Sequence, residues 1–437
     1  MKPLTLALAL AASAALLPAR AEDLVGVYRD ALTSDPVFQS ARAQYAAGLE
    51  KLPQARAGYL PLISGAASVF HNDVDFQNAP SLSYNTTTYA VTLSQPIFRL
   101  QNWIAIGQAR QQVLQAEAGL AAAGEDLILR ISQAYFDVLL AQDNVALSES
   151  QMSAISEQLA QAKRNFEVGT ATIVDTLEAQ ARYDQASAKL ISDKNDLEVK
   201  RRALLQFLGK APQALAPLRD PLVLAPPQPA DIETWVKAAE ESSFTVVSAK
   251  ANLEIAREEV DRQKAAHLPT LDATASWSRA YNPAASSAGI VGPITNNGSV
   301  GLTLSVPFYS GGLIQSRIRE ALANRDRAEQ DFENTRRTVA QSVRQNFLNV
   351  TSGIAQVQAL EQALTSTQSQ LDSTILGRDV GVRTSVDVLN AQQQVYQTRR
   401  DLQQARYNYL LNTLRLKAAA GQLAEGDVES VNRALVR

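Results

Sequence analysis

VGVRTSVDVLNAQ, residues 380–392, has a second version in the same chain, VGTATIVDTLEAQ at residues 168–180. Eight of the thirteen positions are identical, so the chain is an internal duplication, and self-similarity ranks above any local motif as a guide to architecture. Each copy places a glycine, Gly169 or Gly381, after a long helical pattern, where a left-handed residue ends the helix and reverses the chain. Each then restarts with Thr-x-x-Asp: Thr172 with Asp175, and Thr384 with Asp387. A threonine hydroxyl and an acid three residues on satisfy the open N–H groups of a new helix. Both copies therefore read as sharp helix-turn-helix tips.

Working outward, the chain opens with Lys2, an apolar run from Leu4 to Leu17 and the small-residue pattern Ala19-Arg20-Ala21. Residues 1–21 are expected to be a cleaved secretory signal peptide, because the apolar run is too short to span a bilayer as a helix. The remainder holds no apolar run of helix-spanning length. Cysteine is absent, which excludes disulfides, thiol chemistry and cysteine-ligated metals. Basic and acidic residues nearly cancel, 41 against 44, without a basic block, so no nucleic-acid partner is expected. Aromatics make up only 6 %, while Ala, Gln, Ser and Leu fill long segments, the texture of long helices packed through small residues.

Two repeats follow, residues 22–210 and 231–423, offset by about 210 residues. Proline-rich residues 211–230 link them, and residues 424–437 form a C-terminal segment. Each repeat reads as a helix, two strands and a long helical hairpin. In the first, a helix reaches Leu60-Pro61, residues 62–71 and 86–98 are strand-like with a polar loop between them, and Pro96 ends the second strand. Helices from about 101 to 167 and from 173 to about 208 follow. In the second, the helix from 231 to about 266 reaches Leu268-Pro269. Residues 270–280 and 299–309 are strand-like, residues 281–298 form a loop, and Pro307 stands where Pro96 does. The strand stretches alternate apolar with small or polar residues, as in Tyr89, Val91 and Leu93 against Thr88, Ala90, Thr92 and Ser94.

Two readings fit such strands: a soluble β-domain between coiled coils, or membrane strands of about ten residues. Four strands cannot close a barrel, since eight is about the smallest number whose interior side chains fit. Open edges cannot face lipid, so in the membrane reading two, three or four copies share one barrel of eight, twelve or sixteen strands.

Several stretches resemble the TolC family of outer-membrane channels: SQPIF at 94–98, HLPTLDATASWS at 267–278, SVPFYSGG at 305–312, the tip motif at 380–389 and ARYNYLLNTLRLKAAAGQL at 405–423. The resemblance covers nearly the whole chain after residue 22. It implies an α+β membrane protein in which three protomers build a twelve-stranded β-barrel continuous with a long antiparallel coiled-coil barrel, with Pro61, Pro96, Pro269 and Pro307 at the junction. It also implies a non-enzymatic exit duct in the outer membrane, with outer-membrane lipid around it, a large periplasmic portion, and a periplasmic adaptor and an inner-membrane transporter as partners. The runner-up, an adaptor-like coiled-coil protein, predicts one hairpin between compact β-domains, whereas this chain has two.

By the same resemblance the tips form the periplasmic gate. Asp387 matches the first acidic ring of the constriction. Asn390 stands where the family carries a second acid, which leaves a weaker cation trap unless Glu178, its repeat equivalent, also points inward. Arg383 matches the arginine tying the inner hairpin to the outer one, and Arg378 replaces a tyrosine facing the position of Asp175, implying an Arg378–Asp175 ion pair as latch. Asp175 and Asp387 also serve as capping acids, and both roles are compatible. His71 and His267 lie far apart in sequence without ligand spacing. Trp277, Tyr281, Phe98, Phe308 and Tyr309 are candidate membrane-interface aromatics. No phosphate loop, nucleophile elbow or paired-carboxylate site is apparent, so no enzyme, cofactor or metal site is expected.

Overall fold

The computed structural model describes residues 22–77, 79–170, 172–210, 214–284 and 293–436. The expected leader lies outside the described residues, as do residues 211–213 of the expected linker. The chain divides into two compact units, one formed by residues 43–119 and 247–335 and the other by the rest.

The first unit carries the sheet. β1 (Leu62–Phe76), β2 (Ala79–Phe98), β3 (Thr270–Tyr281) and β4 (Ile294–Ser305) form one antiparallel sheet in the order β1-β2-β3-β4. The first hairpin exceeds its expected length, at 15 and 20 residues. The stretch expected as a polar loop after residue 71 is mostly ladder, with Asn72 opposite Tyr84 and Asp73 opposite Ser83. Val74, Leu82 and Tyr84 share one face of this ribbon, but their alternation with polar residues runs too briefly on either side of Pro80 to stand out from a loop. Pro96 does not end β2 either; the strand runs to Phe98 with a register shift between Pro96 and Phe98, the kind of irregularity where a sheet tolerates a missing N–H. β4 also begins earlier and stops sooner than expected, leaving Pro307, Phe308 and Tyr309 in the connection that follows.

Register fixes what each sheet face presents, because residues paired across strands share a face. One face carries Ile63, Val69, Tyr89, Val91, Leu93, Trp277, Val300, Leu302 and Leu304. The other carries Ser64, Ser68, Thr88, Thr92, Asp272, Thr274, Ser276, Ser299 and Thr303. The apolar face is solvent-accessible here, with Val300 at 89 % and Val69 at 69 % exposure. β1 and β4 are open edges.

Helices attach at one end of this sheet and hairpin connections close the other. α1 (Leu24–Ser34), α2 (Pro36–Leu49) and α3 (Lys51–Ala57) precede β1; α4 (Leu100–Glu167) follows β2 and leads to α5 (Ile173–Leu208). At the attachment, Arg99 donates two bonds to the Asp272 carboxylate at 2.9 and 2.7 Å, and the Tyr59 hydroxyl donates to the Arg99 carbonyl at 3.0 Å. Pro61 precedes β1 directly, and Pro269 stands between a short 3-10 turn and β3. The helix expected before that turn is two helices, α6 (Ile232–Ser242) and α7 (Phe244–Lys264), divided at Ser243.

The second unit holds the apolar core. α8 (Leu313–Asp379), α9 (Ser385–Ala419) and α10 (Glu425–Asn432) complete the chain. Leu24, Val27, Tyr28 and Ala31 form the buried stripe of α1, packed in one cluster with Leu127, Ile131, Tyr135 and Leu139 of α4 and with residues of α6, α8, α9 and α10. The linker contributes Leu215 and Ala216 to this cluster and is not a free tether. The Tyr135 hydroxyl donates to the carbonyls of Glu22 and Ala216, and Asn432 accepts the Leu24 N–H while donating to Asp23. Such bonds fasten residues 22–24 and the C-terminal segment to one core. The C-terminal segment, unassigned by the sequence, is therefore a structural belt.

Glu125 of α4 accepts the N–H of Leu423 at 3.1 Å, and burial pushes its carboxyl up to about 7. A carboxyl whose folded pKa is raised binds its proton more tightly when folded, so stability falls as pH rises from its unfolded value near 4.5 towards 7. Glu125→Gln keeps the acceptor without the charge. It is expected to raise the melting temperature at pH 8 by about 2 °C and to leave it unchanged at pH 4, as read by circular dichroism.

Candidate functional site: the paired hairpin tips

The two tips are built by the same bonds at equivalent positions. Gly169 and Gly381 sit at φ 75° and 79°, a backbone that L side chains rarely adopt. Their N–H groups bond the carbonyls of Phe166 and Arg378, and the next residues, Thr170 and Val382, reach back to Asn165 and Gly377 at 2.8 Å. Each is a Schellman closure of a long helix, α4 or α8. Complete capping boxes then open α5 and α9. Asp175 Oδ2 accepts the Thr172 N–H and hydroxyl at 3.0 and 2.8 Å, and Asp387 Oδ2 accepts those of Thr384 at 2.8 and 2.9 Å.

These bonds set the charge of both acids. The Thr172 hydroxyl and N–H hold the Asp175 carboxyl below its usual value. At Asp387 the Thr384 N–H and hydroxyl do the same, assisted by the Arg383 charge. Both are carboxylates at any neutral pH.

The expected latch differs. The Arg378 guanidinium bonds its neighbour Asp379 at 3.0 and 2.7 Å, with no bond to Asp175. Asp175 is occupied by Thr172, and the acid adjacent in sequence reaches Arg378 at less cost in side-chain order. Arg378, Asp379, Asp175 and Glu178 nevertheless line one cavity of about 230 Å³ between the hairpins. Arg383 does not bond the first hairpin; its stem lies across Gly377, where an added Cβ would stand 2.8 Å from its Cγ.

Other residues join the hairpins. Arg182 of α5 donates to Asn390 Oδ1 at 3.1 Å and to Gln393 Oε1 at 3.2 Å, while Glu178 lies 3.9 Å from Arg182 on its own helix. Asn390 is thus a partner of Arg182, and Glu178 sits behind that arginine. Gln158 bonds Gln392 at 2.8 Å. Further along, Arg400 of α9 reaches the Ser148 hydroxyl at 2.6 Å and lies 3.5 Å from Asp193, which also accepts from Ser148 and Lys189. Ser148 and Asp193 are buried. The Tyr407 hydroxyl donates to Asp143 at 2.8 Å, and burial pushes both groups upward in pKa. Between these polar links Ile155, Ala186 and Leu389 pack together.

Arg182 and Arg400 were missed because each looks like an ordinary helix-surface charge; Glu178–Arg182 is an i,i+4 pair and signals nothing about the other hairpin. His71 bonds Asn85 and Ser83 at the sheet's outer hairpin. The expected aromatics Trp277, Tyr281, Phe98, Phe308 and Tyr309 are all exposed.

Three comparisons bear on this geometry. The pattern of the family described as "Outer membrane efflux protein" matches residues 27–210 and 235–422, that is, both repeats. Outer membrane protein TolC of Escherichia coli is 34 % identical over 442 residues, covering 99 % of this chain and 88 % of that protein. Alkaline protease secretion protein AprF of Pseudomonas aeruginosa is 30 % identical, covering 93 % and 86 %. The crystal structure of outer membrane protein VceC of Vibrio cholerae shares the fold at a TM-score of 0.76 and 19 % identity, over 91 % of this chain and 96 % of that one.

Arg400→Ala strips a charge from buried Asp193 and is expected to cost about 2–3 kcal/mol in denaturant unfolding. Arg378→Ala, whose partner is exposed, is expected to cost under about 0.5 kcal/mol. The capping acids' contribution is complete above the ordinary carboxylate range and lost as pH falls through their lowered folded values. Protection factors at the first turns of α5 and α9, the intrinsic exchange rate at each pH divided by the observed one, should accordingly fall only below about pH 4.

Proposed function

The chain belongs to the outer membrane efflux protein family, and on that premise we propose a gated tunnel mechanism for it. It is an outer-membrane exit duct of efflux and type I secretion machinery. The observation that carries the mechanism is the two-faced sheet: an apolar face fit for lipid, a Ser- and Thr-lined face fit for water, and two open edges.

Three copies would close those edges into a twelve-stranded barrel whose interior is the polar face. Eight strands would fill their own lumen with side chains, whereas twelve leave room for water. Exposed Leu177 and Ile191 on α5 offer further apolar contacts between helices of neighbouring copies. The leader would export the chain, and the helices would stand in the periplasm.

At the tips, three Asp387 carboxylates around one axis would hold cations and repel anions. Asn390 adds no charge there. In the closed state Arg182, Gln158 and Arg400 would hold the second hairpin to the first. Opening is then loss of the tip-proximal bonds with the Ile155–Leu389 contact, biased by a partner that binds the open form better. Val168, Val174, Leu177, Val380 and Val382 are exposed at the tips and would dock a periplasmic adaptor; an inner-membrane transporter would supply energy.

Planar-bilayer recording tests this reading. The purified assembly is expected to form small cation-selective pores, Asp387→Ala to lower selectivity several-fold, and Arg182→Ala with Gln158→Ala to raise conductance. Absence of pores from verified assemblies, or selectivity unaffected by Asp387→Ala, would refute it.

A further inference from the structure

One cation stands on the face of the sheet where charge is least expected. Arg279 of β3 pairs across the ladder with Tyr89 of β2 and Asn296 of β4, so all three share the apolar face. The neighbouring row towards the helices is Val91, Trp277 and Gly298; the row beyond, towards the hairpin connections, is Thr87, Tyr281 and Ile294. Arg279 is exposed, and among the described residues no carboxylate lies within ion-pair distance of it. The connection between β3 and β4, residues 282–293, contains no acid in its sequence. Asp73, on the first hairpin, is engaged with His71 at 3.5 Å.

Its height on the sheet is informative. Eight residues separate Arg279 from Leu271, the row nearest the helices on this face, which is about 27 Å along a strand and about 20 Å along the normal of a sheet tilted near 45°. An apolar band is about 25 Å tall. Arg279 therefore lies at the upper rim, with Tyr89 and Tyr281 flanking it as girdle aromatics. A guanidinium at that level cannot point into hydrocarbon and extends its stem towards the headgroups, where the matching group is an anionic oxygen. Its fork geometry suits phosphate, and the Asn296 amide beside it adds a donor.

Resting on the outer-membrane reading, we infer that Arg279 with Asn296, flanked by Tyr89 and Tyr281, forms a binding site for the phosphate of an anionic lipid in the outer leaflet, one site per protomer. The site would fix the barrel's depth and rotation against the membrane surface and plays no part in the conduction path.

The test uses the purified full-length assembly in neutral detergent, mixed with diphosphoryl lipid A or its enzymatically dephosphorylated form and read by native mass spectrometry. Wild type should retain the phosphorylated lipid at least five-fold over the dephosphorylated one. Arg279→Gln should reduce that preference to about one, Arg279→Lys should keep most of it, and Asn296→Ala should lower it by about half. Equal retention of both lipids by wild type, or an undiminished preference in Arg279→Gln, overturns the site. Displacement of the lipid by millimolar inorganic phosphate overturns the lipid assignment in favour of a free-anion site. Bilayer conductance of the same preparations separates the two levels: pores without lipid preference sink the site alone, whereas no pores and no lipid retention sink the outer-membrane reading too.

Discussion

A main-chain N–H or C=O without a partner costs several kcal/mol in hydrocarbon, and the architecture follows from that cost. The four strands satisfy one another internally but leave β1 and β4 with unpaired outer edges. Among the described residues nothing pairs with those edges. In the proposed assembly identical copies would supply the missing partners, and symmetry would then dictate the rest. Strands in a ring would bring helical hairpins into a ring, and any residue near a tip would become a ring of like residues around one axis. A single exposed carboxylate would gain its electrical effect only through that multiplication.

The hairpins meet a different constraint. Their helices run 68 and 67 residues, about 100 Å each, with little aromatic content to pack. Close approach of small residues and a few buried polar contacts hold them, among them Ser148–Asp193–Arg400 and Tyr407–Asp143. Buried ionic contacts add little net stability compared with apolar packing, yet they penalise any register in which a charge loses its partner. In the proposed opening, a hairpin that swings and returns to one position would be well served by contacts that are directional and modest in strength.

Much of this was legible in the sequence for a local reason. Glycine at positive φ and the Thr-x-x-Asp box act within six residues, so both tips, and with them the duplication and four helix ends, could be read directly. The strand cores could be read from their two-residue alternation. The upper part of the first hairpin was harder to read, because its apolar residues, Val74, Leu82 and Tyr84, alternate with polar ones only in two short runs on either side of Pro80. The candidate gate residues split along the same line. Asp175 and Asp387 are local and stand where the motif puts them, whereas Arg182 and Arg400 act across hairpins hundreds of residues apart in sequence. The Arg378–Asp175 pair that the resemblance implies gives way to Asp379, the acid adjacent to Arg378 in sequence.

The unequal length of the strands has a consequence for what the cell displays. β2 is paired with β3 only as far as Thr87, while β1 and β2 continue together to Phe76 and Ala79. A two-stranded ribbon thus continues past the last rung shared with β3, on the side away from the helices. Since the ladder itself is carried by main-chain bonds and none of the ribbon's described side chains is buried, those side chains are free to change while the ladder persists. In the outer-membrane placement proposed above, it would be the part of the molecule that external ligands meet first, and the part that could drift fastest without disturbing transport.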